Sequence, residues 1–218
     1  MAKEKTVSYS EADLIEMFQL TRLVGENTPL MNRWLATEPM IFDDLEQRFF
    51  DALLKKAVKN IAGWSEEDLK MKFICYVLSL GQLEDSGKFL TYFEKTIFAK
   101  IEGHYLSVKS DFMVAKGVLD KPKKPYFHFQ EYKPHKKPTG DSMAQLLEAM
   151  LIAQHENNNE KPIYGCEIVG KNWTFVVLEG KTYCISKSFD CTEKDELLQI
   201  IAMLRKFRYI LETELLDE

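Results

Sequence analysis

Three side chains in the middle of this chain could together do hydrolytic chemistry at a phosphate: Asp111, Glu131 and Lys133. Glu131 and Lys133 stand two apart in the run FHFQEYK, which reads as a strand. They therefore leave one face of it while Tyr132 leaves the other. Asp111 lies in KSDFMV, late in the strand expected before it. If that strand turns back near Lys121, positions whose numbers sum to about 242 oppose one another, and Asp111 faces Glu131 with Cβ atoms roughly 4.5–5.5 Å apart. Two carboxylates this close repel unless positive charge lies between them. Mg²⁺, or Mn²⁺ in its place, meets that need through carboxylate, carbonyl and water oxygens, and the Tyr132 carbonyl is a further candidate ligand. Lys133 would then orient a water or offset charge on the phosphate oxygens. The plain alternative is a solvated strand face with an ion pair contributing about 0–1 kcal/mol. Against it, Phe127 and Phe129 are expected on the same face, so the face should be covered, and buried carboxylates need partners.

The elements that must position these residues are legible in outline. Ser10 and Asp13 predict a capping box that opens a helix to about Val24, broken over residues 25–29. A second helix is expected from Asp43 to Ile61, with Leu45, Phe49, Leu53, Ala57 and Ile61 recurring every four residues. Ser65 and Asp68 open the best-marked helix, with Trp64 and Leu69 as a hydrophobic staple. Its buried stripe is Leu69, Phe73, Val77 and Leu80, and Gly81 stops it. The period then changes to that of a strand over residues 94–101, although 88–101 also fits a helix. Glu102-Gly103 is a two-residue turn, and His104 to Ala115 continues as a strand. A lysine-rich loop, Lys116 to Pro125, leads to a third strand, Tyr126 to Lys133. Asp141 or Ser142 opens a helix, strands follow at 163–169, 173–178 and 182–186, and a last helix capped by Thr192 runs to about Leu215.

The chain has 218 residues, 45% of them hydrophobic, enough for one domain or for a core with an added lobe. We expect a helical extension over residues 1–62, without chemistry of its own, and a core over 63–218. The net charge is -5, which does not advertise a nucleic-acid binder. The stretch from Lys116 to Lys137, however, holds seven lysines against Asp120 and Glu131, a local surplus that would draw a phosphate backbone. Cys75, Cys166, Cys184 and Cys191 form no CxxC pair, and His104, His128 and His135 show no metal-ligand spacing. No signal-type apolar stretch opens the chain, and Phe73 to Leu80 is too short to span a bilayer. The expectation is a soluble, cytoplasmic protein without a membrane partner. The oligomeric state is open, a dimer included.

With these residues in place, the sequence resembles the PD-(D/E)XK nuclease superfamily. There a motif Asp lies on the second core strand and Glu-x-Lys on the third, matched here by Asp111 in KSDFMV and by Glu131-Tyr132-Lys133 in FQEYKP. The family often adds a Glu on the first core helix. Residues 65–70, Ser-Glu-Glu-Asp-Leu-Lys, are similar to that element, with Glu66 the match and Glu67 the runner-up. RecB-like members carry a Gln on the helix after Glu-x-Lys, and Gln145 in AQLLEAM is similar, although Ala149 stands where those members place a Tyr. The resemblance covers roughly residues 65–190 and leaves residues 1–60 outside. It implies an α/β, restriction-endonuclease-like core: helix, three-strand meander, helix, further strands and C-terminal helix. It also implies Mg²⁺-dependent hydrolysis of nucleic-acid phosphodiesters, with DNA the expected substrate. The implied catalytic residues are Asp111, Glu131, Lys133, Glu66 and Gln145, of which Asp111 and Glu131 hold the metal. The alternative is a catalytically silent binding or scaffold module that keeps the fold, which the acidic net charge favours.

Overall fold

A seven-stranded mixed sheet is the middle layer of the computed structural model, which describes residues 9–25, 28–136, 138 and 140–216. Residues 1–8, Glu26 and Asn27 of the expected break, and Lys137 of the lysine-rich stretch lie outside the described residues. The strands are β1 (Thr21–Val24), β2 (Leu90–Ile101), β3 (His104–Val118), β4 (Lys121–Lys133), β5 (Ile163–Val169), β6 (Asn172–Glu179) and β7 (Thr182–Asp190). Their order across the sheet is β1-β7-β6-β5-β4-β3-β2. Only β1 with β7 and β4 with β5 run parallel.

The β4–β5 step needs a crossover, because parallel neighbours cannot be joined by a hairpin. Helix α6 (Ser142–Asn157) supplies it, opened by Asp141, whose carboxylate accepts the Ala144 N–H at 2.9 Å. Its residues 146–153 are buried on every side, as befits a helix lying across a sheet and under a second helix, α1 (Glu11–Phe18). The opposite face of the sheet carries α2 (Pro29–Leu35), α3 (Asp44–Asn60) and α7 (Lys194–Ile210). It also carries a helical run of α4 (Glu66–Leu69), a π turn (Lys70–Ile74) and α5 (Cys75–Leu80). Leu69, Phe73, Val77 and Leu80 are all buried, and Gly81 follows as the C-cap. Among the described residues no helix is long and apolar enough to cross a membrane. The four cysteines are free.

Several expectations need correction. The helix from Ser10 stops at Phe18, where Gln19 turns left-handed at φ 53°, and Thr21–Val24 is a strand hydrogen-bonded to β7. The N-terminal segment is therefore not a purely helical extension. It gives the sheet an edge, and Met31, Trp34, Phe50 and Leu53 share one core cluster with Phe112, Tyr132 and Phe175. On α3 the buried positions are Phe50, Leu53 and Ala57, while Leu45 and Phe49 are exposed. A strict four-residue spacing drifts about 40° per step against a 3.6-residue turn, so it cannot stay on one face. Thr192 does not cap α7; its N–H and hydroxyl bond to Asp190 Oδ1 instead. β2 begins at Leu90, which removes the helical alternative for that stretch.

The lysine-rich stretch is not a loop. β3 and β4 run to Val118 and from Lys121, leaving Leu119 and Asp120 as the turn. Near this tip Val118 opposes Lys121 and Lys116 opposes Lys123, whereas deeper in the sheet Val114 opposes His128 and Phe112 opposes Gln130. Two register shifts, on either side of Ala115, change the pairing by three residues. An odd slip swaps faces. Without it, Asp111 would stand opposite His128, and Asp111 and Glu131 would leave opposite faces. The bulge also turns Phe127 into the core of the α7 side while Phe129 packs with α6, so the two do not share a face as expected.

Candidate metal centre

β3 and β4 part where the predicted residues lie. Their pairing ends at Phe112 with Gln130. Beyond it, residues 104–110 of β3 pair only with β2, and residues 131–133 of β4 pair only with β5. The parting frees backbone N–H groups inside the protein, and each would cost about 1–3 kcal/mol if left without an acceptor. Acidic side chains serve two of them. Asp111 Oδ2 accepts the Tyr132 N–H at 2.8 Å across the fork, and Glu148 of α6 accepts the Ser107 N–H at 2.8 Å. A strand residue's N–H and C=O leave by the same edge, so the Tyr132 carbonyl also points into the fork.

The second oxygen of Asp111 meets a lysine. Lys70 Nζ lies 2.8 Å from Asp111 Oδ1, 2.8 Å from Glu66 Oε1 and 2.6 Å from Glu94 Oε1. Ser65 starts the helix that places it, its hydroxyl accepting the Asp68 N–H, and Glu66 and Lys70 are one turn apart. Glu94 interrupts β2 with φ 56° between the pairs Phe93–Phe112 and Lys95–Ser110, directly across from Asp111. It also pairs with Lys109. On the other prong, Lys133 Nζ donates to Glu131 Oε1 at 2.6 Å. Asp111, Glu131 and Lys133 are 6%, 3% and 8% exposed, so the solvated-face reading does not apply.

Burial decides the electrostatics. It pushes the Glu131 carboxyl up to about 7, helped by the Asp111 charge and only partly opposed by Lys133. Burial raises Asp111 too, against the hydrogen bonds from Lys70 and the Tyr132 N–H. Lys70 is held above the usual lysine value because its three carboxylates outweigh the desolvation of its ammonium. Glu94 is lowered to about 2, the hydrogen bonds from Lys109 and Lys70 overcoming burial.

The structure thus joins Asp111 to Glu66 through Lys70, and Glu67 is exposed. Gln145 does not join them. It is half-buried in the first turn of α6 and makes no side-chain hydrogen bond to Asp111, Glu131 or Lys133 among the described residues. The tip lysines are also apart from the cluster: five to seven residues of strand put them about 17–23 Å along the sheet from Asp111. His128 is fully buried, with its pKa lowered to about 3 by desolvation, and bonds to Gln130 rather than to the carboxylates. Sequence reasoning missed Lys70, Glu94 and Glu148, and also Glu167, which stands beside Glu131 on β5 and accepts the Ser142 hydroxyl. Glu94 was within reach, because the Glu102-Gly103 turn alone sets it opposite Asp111.

No protein-family model matches the chain, and no curated protein matches it.

Among the described residues no three His, Cys, Asp or Glu side chains stand ready to hold a metal ion. Lys70 sits on one oxygen of Asp111 and Lys133 on one oxygen of Glu131. The donor set itself suits a hard cation: Asp111, Glu131, Glu66 and Glu94 offer only oxygens. A pH dependence follows. Glu131 is raised in the folded protein above its ordinary value of 4.5, so its contribution to stability is full below about pH 4.5 and is lost as pH rises through about 7. Without metal, the stability of the wild type relative to Glu131→Gln should fall across that window in urea titrations. A constant difference would show that Glu131 does not titrate there.

Proposed function

We propose that the chain is a Mg²⁺-dependent phosphodiesterase acting on nucleic acid, with DNA as its substrate, in keeping with the resemblance to PD-(D/E)XK nucleases and their restriction-endonuclease-like core. The observation that carries the reading is the fork: Asp111 on one prong and Glu131 and Lys133 on the other, all buried, with Glu66 brought in from a helix. Asp111 and Glu131 are the metal ligands in this reading. The ion would polarise the phosphodiester and lower the pKa of a bound water. Lys133 lies two residues from Glu131 and is paired with it, and its ammonium would orient the water or offset phosphate charge once Glu131 turns to the metal. Asp111 keeps its place through the Tyr132 N–H.

One observation favours the silent-module alternative: an ammonium already satisfies three of the carboxylates, so the cluster is complete as an ion-pair network. Strand cleavage decides. Purified protein with Mg²⁺ or Mn²⁺ should cut single- or double-stranded DNA, and EDTA should stop it. An absence of cleavage on DNA and RNA alike, at protein concentrations above that of the substrate, would favour the silent module.

A further inference from the structure

Lys70 has no part in the chemistry just described, yet it makes more charged contacts than any residue around the fork. Its ammonium touches one oxygen each of Glu66, Glu94 and Asp111, at 2.8, 2.6 and 2.8 Å. Those carboxylates come from three separate elements: a helix start, an interrupted edge strand and the fork. Glu94 is turned toward it from a left-handed backbone position, which a residue other than glycine adopts only at some cost in strain. Lys70 places its Nζ over the Tyr132 ring, 5.6 Å from the ring centre. It also begins the π turn of its helix, a local widening often found at functional sites.

We propose that Lys70 is a built-in competitor for the divalent cation, holding the cation position in the metal-free protein and leaving it when metal binds, with Glu94 gained as a ligand. This rests on the metal-site reading above. A lysine here does what a structural ion pair would not. It keeps Asp111 gathered with Glu66 and Glu94 without metal, and it weakens metal binding by the inverse of the fraction of time it leaves the position free. A position filled about nine-tenths of the time by the ammonium lowers the apparent metal affinity about tenfold. The site would then load only at high Mg²⁺ or when a phosphate oxygen of the substrate adds a further ligand.

The test is metal binding, read without activity. Mn²⁺ affinity is measured by calorimetry and by the loss of the free-ion paramagnetic signal, for wild type, Lys70→Met, Lys70→Arg and Glu94→Gln. Lys70→Met keeps the stem and removes the charge. It should bind Mn²⁺ about tenfold tighter than wild type, while Glu94→Gln should bind more weakly and Lys70→Arg no better than wild type. In melting curves Lys70→Met should be the less stable protein without metal and gain more from Mn²⁺. If it does not fold alone, Mn²⁺ should restore its transition, and failure to do so overturns the proposal. Equal affinity in wild type and Lys70→Met overturns the competitor and leaves the metal site standing. If neither binds Mn²⁺, the metal-site reading falls, and the competitor with it.

Discussion

Lys133→Met should lower Mg²⁺-dependent cleavage by about 10²–10³, the usual cost of one preorganised electrostatic contact at a reacting phosphate. The side chain is not a metal ligand in the proposed reading, so saturating Mg²⁺ should not rescue the rate. Its partner Glu131 is buried, and breaking a buried pair can cost about 3–5 kcal/mol rather than the under about 1 kcal/mol of a surface pair. Protonation of Glu131, already displaced upward, offers relief below neutral pH. The activity of Lys133→Met is therefore measured beside its urea unfolding, at pH 6 and pH 8. A variant that is folded at both pH values and cuts as fast as wild type would remove Lys133 from the chemistry.

Asp111→Ala should destabilise the metal-free protein by about 3–5 kcal/mol. Two losses coincide there. The Tyr132 N–H loses its acceptor inside the fork, and Lys70 loses the most buried of its three partners. Asp111→Asn keeps an acceptor for that N–H and loses only the charge, so it should cost less than Ala while abolishing metal binding equally. Urea midpoints for the two variants test this. A cost under about 1 kcal/mol for Asp111→Ala would mean that the fork is held open by other groups.

Strong local signals in the sequence agree with the structure. The helix caps at Ser10, Ser65 and Asp141 are seen as hydrogen bonds, and the Glu102-Gly103 turn sets the β2–β3 register. What failed was long-range. Thr21–Val24 is four residues long and finds its partner in β7, far along the chain, so nothing nearby marks it as a strand. The opposition of Asp111 and Glu131 came from assuming a turn centred at Lys121. The turn lies at Leu119–Asp120, and the bulge makes up the difference. A bulge leaves little mark in apolar alternation when the β4 residues beside it, Lys123 to Tyr126, are two lysines, a proline and a tyrosine. Lys70 carries no such signal, because on a helix a lysine one turn after a glutamate reads as an ordinary surface pair.

The bulge has a consequence for how the protein can change by insertion and deletion. Residues between it and the Leu119–Asp120 tip are paired by the turn, whereas Asp111 and Glu131 are placed by the register beyond the bulge, which ends at Phe112 and Gln130. An arm lengthened or shortened by matched pairs of residues, one from each strand, would leave the carboxylates where they are. A single residue gained between the bulge and Glu131 would instead send Asp111 and Glu131 to opposite faces. The reach and charge of the lysine arm can thus change without moving Asp111 and Glu131.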